Sequence, residues 1–472
     1  MTRQTRDRFS VAGVESLGAR SDRPARALRY LFVCLVLYAA LGKGFAYAGW
    51  PPLFVGELLL AVVLLSAVRS SALLPRTAAA VVTALLVGMA VVQFAIDRLA
   101  GMVPLLETVR GLAPVYYSGF AFGIYALLRD WEARTSRSHV EDTVAKTVAR
   151  AAPLVAPIVL GLAALLLIEP AWLPRWPGSG VPMLLTKPGD IAVTLVLLVS
   201  VVQSRRLGRL VPAPRGAMIV MLSATALLVA ARSRGALLTL IIGLLVARPR
   251  PDRIAKGLLA GVAVLLALYV SGLRIEVAHR ELSYAAATDA VESLVDTESS
   301  ESDIQGNYVG TRNWRTEWWE AIWADATGDR LFLHGYGWGD NLAIRYGIAA
   351  RDAAEDPRVL RLPHSFFFSL VGRAGVAFAV AFALVPILTI GRTFRPAARG
   401  RSSPLVEGAR GALAAAVVTG LFGVYIESPQ GGILLWNIVG FLWWATSAPR
   451  DPRDVWSGST EDERSVALGT GA

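Results

Sequence analysis

Apolar runs of about the length needed to cross a bilayer recur along this chain, separated by short arginine-rich links, and no other feature restricts the fold as severely. A bilayer's hydrocarbon core takes roughly 20 apolar residues in helical form. Backbone N–H and C=O groups in lipid must be satisfied within the structure, which leaves helices or closed barrels. A barrel strand alternates polar and apolar residues, and runs such as LLLAVVLL and LVLLVSVV do not alternate. The expected fold is therefore all-α, a polytopic membrane protein of about 12 helices. Candidate spans fall at 28–46, 53–68, 77–97, 112–129, 153–168, 190–203, 217–231, 235–247, 257–273, 366–390, 411–426 and 432–446. The composition agrees. Of 472 residues, 54% are hydrophobic and only 18% charged, too few charges to clothe a water-soluble chain of that length. The first apolar run begins near Leu28 without the compact layout of a signal peptide, so it is read as an uncleaved span.

The cations are distributed unevenly, and their distribution sets an orientation. The segment before Leu28 carries Arg3, Arg6, Arg8, Arg20, Arg23 and Arg26, and every second link is similarly basic, for example Arg205, Arg206, Arg209 and Arg215. The intervening links hold only Arg98, Arg110, Arg175, Lys187, Arg232 and Arg234. Lysine and arginine accumulate in cytoplasmic loops, so both termini are placed in the cytoplasm. The same bias accounts for the net charge of +11 without a nucleic-acid partner. The single cysteine, Cys34, lies in the first run, which excludes an intramolecular disulfide and a cysteine-built metal site.

These assignments divide the chain into a cytoplasmic tail (1–27), nine spans (28–273), a large extracytoplasmic loop (274–365), three spans (366–446) and a cytoplasmic tail (447–472). The loop is far longer than an ordinary connection and carries more acidic residues than arginines. Its acidic, serine-rich stretch at 289–303 has the composition of a mobile segment. Beyond it, NWRTEWWEAIW places Trp314, Trp318 and Ile322 at helical spacing, which predicts a short amphipathic helix on the membrane face. Gly335, Gly337 and Gly339 then predict a tight turn.

Candidate chemistry concentrates on the extracytoplasmic side. Arg232-Ser233-Arg234-Gly235 fills the short link between spans seven and eight, against the orientation rule, and arginine at the hydrocarbon edge requires a partner or a task. Snorkelling to headgroups is the structural alternative. A planar guanidinium fork matches phosphate oxygens. His364, in Pro363-His364-Ser365 before span ten, has an ordinary pKa suited to proton transfer near neutrality. Among the four histidines, His279 and His334 share its side, with His334 beside the glycine turn as a secondary polar group. Arg315 and Arg312 lie on the amphipathic segment, where pairing with Glu317 or Glu320 is the plainer role for Arg312. Arg373 within span ten and Glu57 within span two count as ionisable residues in the membrane, and Lys187 and Asp190 are placed to pair at the mouth of span six. HExxH, CxxC and P-loop motifs are absent, so no metal site and no cofactor is expected.

In order and spacing, three blocks resemble the O-antigen ligase and O-antigen polymerase superfamily of bacterial membrane glycosyltransferases. They are Ser233-Arg234-Gly235-Ala236; Trp314-Arg315 with Trp318-Trp319 and Gly335-Tyr336-Gly337-Trp338-Gly339; and Pro363-His364-Ser365 with Gly372 and Gly375. The similar region runs from about 217 to 380. The resemblance implies a multi-pass protein of the cytoplasmic (inner) membrane that moves or polymerises a polyprenyl-diphosphate-linked glycan onto an acceptor hydroxyl outside it. The acceptor would be a glycan, a lipid or a wall polymer, and membrane lipids the remaining partners. It further implies that Arg234 and Arg315 hold the donor diphosphate and that His364 orients or deprotonates the acceptor. Arg232 and Arg373 are added to the donor site from charge and position. Two other classes compete. A transporter or flippase of a lipid-linked or anionic substrate would show inverted repeats and broken helices. A lipid-dependent glycosyltransferase of another kind would carry a carboxylate in the first outer loop, but the stretch near Tyr47–Pro52 contains no Asp or Glu.

Overall fold

A computed structural model describes residues 11–50, 53–68, 74–101, 103–168, 173–177, 180–204, 207–247, 275–277, 280–282, 303–328, 332–348, 362–395 and 403–448. The chain is mostly helical, in keeping with a membrane protein. Among the described residues, four helices are long and apolar enough to cross a bilayer: the Pro24–Leu41 part of α1 (Val11–Leu41), α3 (Ala78–Ala100), most of α7 (Arg137–Ile168) and α14 (Val376–Thr393). A fifth is counted if α4 (Leu105–Gly111) and the segment Ala113–Arg134, which bends from it by 52°, form one span. That segment comprises α5 (Ala113–Tyr116) and α6 (Gly119–Arg134). Shorter apolar helices are α2 (Val55–Val68), α8 (Pro188–Gln203), α9 (Arg215–Arg232) and α10 (Arg234–Ala247). Leu65 on α2 and Leu85 and Val92 on α3 stand 65%, 62% and 61% exposed, an outer face that hydrocarbon can cover and water would not.

Local chemistry sets the ends of these helices. Thr77 accepts the Ala80 N–H at 3.0 Å at the start of α3, and Gly101, in the left-handed region at φ 66°, ends it. Serines with a following proline start α15 (Pro404–Leu421) and α16 (Pro429–Thr446) in the same way. Two arginines close helix C-termini, where unpaired carbonyls and the helix dipole favour a cation. Arg137 donates to Trp444 O at 2.9 Å and Ser447 O at 2.8 Å and lies 5.0 Å from the Trp444 ring centre. Arg410 is buried within α15 rather than placed in a loop, and donates to Val246 O at 2.8 Å at the end of α10.

Small residues bring α8, α10 and α15 together. A methyl group on Gly243 would lie 2.7 Å from Val196 Cγ2 and 2.9 Å from Ala415 Cβ, so only hydrogen fits. Around this core α16 packs on α6 and on α5, where Trp436 donates to Pro114 O at 2.8 Å, and α14 packs on α3.

Several expected boundaries differ. The first helix ends at Leu41, and Lys43–Tyr47 forms a 3-10 turn instead of continuing the span. The helix expected from residue 153 begins at Arg137, since the polar stretch before the apolar run is helical too, and Pro153 and Pro157 sit inside α7 without ending it. The segment expected to cross at 366–390 divides at Gly375 (φ 91°) into α13 (Phe366–Ala374) and α14, and α14 alone has the length and apolarity to cross. Arg373, in the last turn of α13, is therefore not placed within a continuous span. The expected short amphipathic helix is a 25-residue one, α11 (Asp303–Thr327), which packs on α13 with Trp318 and Ile322 fully buried. The same segment includes the one-turn helix α12 (Leu342–Arg345) and a small antiparallel pair, Ile275–Val277 with Arg280–Leu282. The span expected at 257–273, His279 and nearly all of the 289–303 stretch lie outside the described residues.

Candidate active site

Helix ends distant in sequence converge at one end of the bundle. The start of α8 meets the end of α15, where Gly189 leaves room for the Thr419 side chain, and Thr419 Oγ1 lies 2.9 Å from Thr239 Oγ1 on α10. Gly420, near the end of α15, packs on Phe366 at the start of α13. Gly235, beside Arg234, faces Phe422, whose carbonyl also accepts from Arg315 Nη1 at 3.4 Å. The Ser-Arg-Gly block and the Trp-Arg block thus reach the same short segment after α15.

Arg315 and His364 are in contact: Arg315 Nη2 lies 3.4 Å from His364 Nδ1. A guanidinium can only donate, so Nδ1 is the acceptor and the neutral imidazole carries its proton on Nε2. Aromatic rings frame the pair. Trp314 meets His364 edge-on at 5.5 Å, Trp319 donates to Pro363 O at 2.7 Å, and the Trp319 ring stacks on Phe368 at 5.1 Å. His364 itself adopts φ 55°. A non-glycine residue in the left-handed region costs on the order of 1–3 kcal/mol and persists where its surroundings over-determine it, as they do at functional sites.

Two lysines complete the cationic group. Lys43 lies in the 3-10 turn and Lys187 is the N-cap of α8. Burial, then Lys187, Arg315 and Lys43, push the His364 pKa down to about 3, so its imidazole is neutral across the physiological range. Displacement of water by surrounding protein lowers both lysines, and Lys43 lowers Lys187 further. Arg315 is lowered by burial. Glu427, in the link between α15 and α16, is driven the other way. Burial raises its carboxyl to about 7 against the opposing pull of Arg373 and Lys43. Asp190 accepts the Lys187 backbone N–H at 3.1 Å, which closes the first turn of α8 rather than forming the expected side-chain pair.

The remaining expected residues are placed differently. Arg373 belongs beside Glu427, and its backbone carbonyl receives the Gly337 N–H at 3.0 Å. Arg234 begins α10 and Arg232 ends α9, both partly buried. His334 is exposed, next to exposed Phe332 and Leu333. The backbone of Arg312 lies in α11, and its side chain falls outside what is described. Glu57 is satisfied within the fold, accepting from Tyr116 at 2.8 Å and Tyr117 at 2.7 Å. Among the described residues, no group of three or more His, Cys, Asp or Glu side chains could hold a metal ion.

The glycine-rich turn is a clamp. Tyr336 and Gly337 donate to the carbonyls of Gly372 and Arg373 at 2.8 and 3.0 Å, and Trp338 donates to Asp97 Oδ2 at 2.7 Å while its ring is fully buried. A side chain at Gly335 would collide with the Arg373 backbone. Gly335→Val is accordingly expected to lower stability by about 1–3 kcal/mol, as overpacking against fixed backbone does. Thermal unfolding in detergent measures this, and an unchanged midpoint would contradict the clamp.

Lys43 and Glu427 escaped the sequence reading. Lys43 fell inside the expected first span, where an ionisable residue flanked by Gly42 and Gly44 is itself a signal of function. Glu427 stands just past an expected span and carries no motif. Comparison with family models and with the curated proteins finds no match to this chain.

Proposed function

We propose that this protein is a membrane glycosyltransferase that takes a glycan from a polyprenyl-diphosphate carrier and joins it to an acceptor hydroxyl, as an O-antigen ligase or polymerase does. The observation that carries the reading is the Arg315–His364 contact, set among Lys43, Lys187 and the segment shared with Arg234. In this reading the chain crosses the inner membrane about 12 times, both termini are cytoplasmic, and the cluster faces the extracytoplasmic side.

The chemistry follows from the groups present. The acceptor oxygen attacks the anomeric carbon of the donor, the bond from that carbon to the phosphate oxygen breaks, and the polyprenyl diphosphate leaves with the electron pair. Negative charge develops on the leaving oxygen, where guanidinium and ammonium groups stabilise it most. The acceptor's proton passes to His364. Arg315 contacts Nδ1, so donor phosphates that draw the guanidinium away release that nitrogen as the base. The same phosphates offset the cations that depress the imidazole, which raises its basicity when substrate is present.

A pH dependence distinguishes this site. His364 is already neutral above about pH 5 in the free protein, so its titration leaves kcat/KM flat there. Glu427 loses its proton as pH rises through about 7, adding negative charge beside Arg373 and Lys43 and weakening the attraction for an anionic donor. The expected profile of kcat/KM falls above about pH 7, and Glu427→Gln flattens it. A fall of equal size in the variant would remove Glu427 from the account.

Orientation is tested by cysteine accessibility. Ser233→Cys and Ser365→Cys, in a Cys34→Ser background, are expected to react with an impermeant maleimide added outside intact cells. Labelling only after the membrane is opened would reverse the topology. One observation favours the second reading, a transporter or flippase: the 52° bend between α4 and the helix that follows. Movement of the lipid-linked glycan across a vesicle bilayer without release of polyprenyl diphosphate is the outcome that reading requires.

A further inference from the structure

The Gly42-Lys43-Gly44 turn is built against the strand-like segment that leads into Lys187. Gly42 pairs with Leu185 in a parallel bridge, Gly44 N–H donates to Leu185 O at 3.2 Å, and Trp176 Nε1 donates to Gly44 O at 2.7 Å. Glycine is required on both sides of Lys43. Gly42 is left-handed at φ 65°, and a side chain on Gly44 would strike the Met183 carbonyl. Two sequence-distant lysines are thereby fixed near each other on paired backbone rather than on a mobile loop.

Holding like charges together is unfavourable unless a negative group joins them. Lys43 lowers the affinity of Lys187 for a proton, and both share the acidic neighbour Asp190, whose carboxylate is engaged by the Lys187 backbone N–H; Lys43 also feels Glu427. Among the described residues neither ammonium is in an ion pair. Lys187 keeps exposed surface and Lys43 is partly exposed, although surrounding protein displaces much of the water from both ammonium groups, which leaves the pair within reach of a ligand. Both lysines act on His364, as Arg315 does, so all three cations border one imidazole.

We infer that Lys43 and Lys187 form a second phosphate subsite beside the Arg315–His364 pair, so that one phosphate of a diphosphate lies with the arginine and the other with the two lysines. This rests on the proposed donor class and adds how the site tells a diphosphate from a monophosphate. The residue types suit the division: a guanidinium makes a planar fork, and paired ammonium groups offer point charge to a phosphate that carries no fixed bidentate partner. The subsite explains why the lysines come from a turn and a helix start that nothing else in the chemistry requires.

The test is a binding comparison on the full-length protein in nanodiscs, with polyprenyl diphosphate and polyprenyl monophosphate as probes, neither carrying a glycan. Wild type is expected to prefer the diphosphate. Lys43→Met with Lys187→Met is expected to weaken diphosphate binding by on the order of tenfold or more, and monophosphate binding much less. The preference then disappears, while the unfolding midpoint is unchanged. Lys43→Arg with Lys187→Arg restores most of it, whereas Arg315→Ala weakens both probes. A double methionine variant that keeps the diphosphate preference overturns the subsite and leaves the proposed activity standing. Wild type that binds neither probe overturns both. Equal weakening of both probes assigns the lysines to general attraction of anionic lipid and also rejects the subsite.

Discussion

Replacing His364 by asparagine is expected to reduce glycan transfer by about 10²- to 10⁴-fold while the protein inserts and unfolds as the wild type does. That range is what a positioned general base or acid ordinarily contributes. Asparagine is the informative substitute because His364 sits at φ 55°, a region that asparagine tolerates better than most residues. Alanine at this position loses the imidazole and adds backbone strain together, so a loss with alanine alone would leave two explanations. The stacked Trp319 and Phe368 and the Trp319–Pro363 bond hold the adjoining backbone whichever side chain stands at 364. Retention of wild-type transfer by purified His364→Asn would remove the imidazole from the chemistry.

Arg315 is the second large effect. Arg315→Ala is expected to cost about 10²- to 10³-fold in kcat, the loss seen when one preorganised group is withdrawn from a developing negative charge. Arg315→Lys is expected to recover only a small part of it. A lysine ammonium lacks the two separate nitrogens, Nη1 and Nη2, that reach Phe422 O and His364 Nδ1, and the planar fork for bidentate contact with phosphate. The two variants also differ in what they do to His364. Arg315→Ala removes one of the cations that depress the imidazole, so its pKa rises in the free protein. The acid limb of the kcat/KM profile set by His364 is therefore expected to move to higher pH in Arg315→Ala, while burial and Lys187 continue to hold the imidazole below its ordinary value. An unchanged profile would separate the two residues.

What the sequence conveys well here is periodicity and apolarity. Runs of leucine, valine and alanine identify the helices, and Trp314, Trp318 and Ile322 identify the face of α11 that is buried or half-buried. It conveys breaks poorly. Gly375 divides an apolar stretch that hydropathy alone reads as one span, because its φ of 91° ends α13 without any polar residue to mark it. Hydropathy also misses polar extensions: α7 begins at Arg137, well before the apolar run, and continues through Pro153 and Pro157. Arg410 lies just before the expected span at 411–426, yet it closes α10 from inside α15, through contacts 163 and 164 positions apart that no local pattern announces.

The candidate site divides along the same line. Arg315 and His364 were legible because each sits in a local motif, and the fold brings them to 3.4 Å. The glycine turn was legible as a turn but not as a clamp on α13, since its partners Asp97 and Arg373 lie far away in the chain. Lys43 and Glu427 have no motif at all. Their significance comes from the electrostatic company they keep across four separate elements, and that company exists only once α8, α13, α15 and the 3-10 turn have been assembled.

Release of polyprenyl diphosphate from a lipid-linked glycan, followed in nanodiscs alongside formation of the glycosylated acceptor, tests the central claim most directly. The account predicts that wild-type protein produces the two in equal amounts with no nucleotide sugar present, and that His364→Asn and Arg315→Ala produce neither although both remain folded. Acceptor glycosylation that proceeds without diphosphate release, or release that is undiminished in both variants, would contradict it.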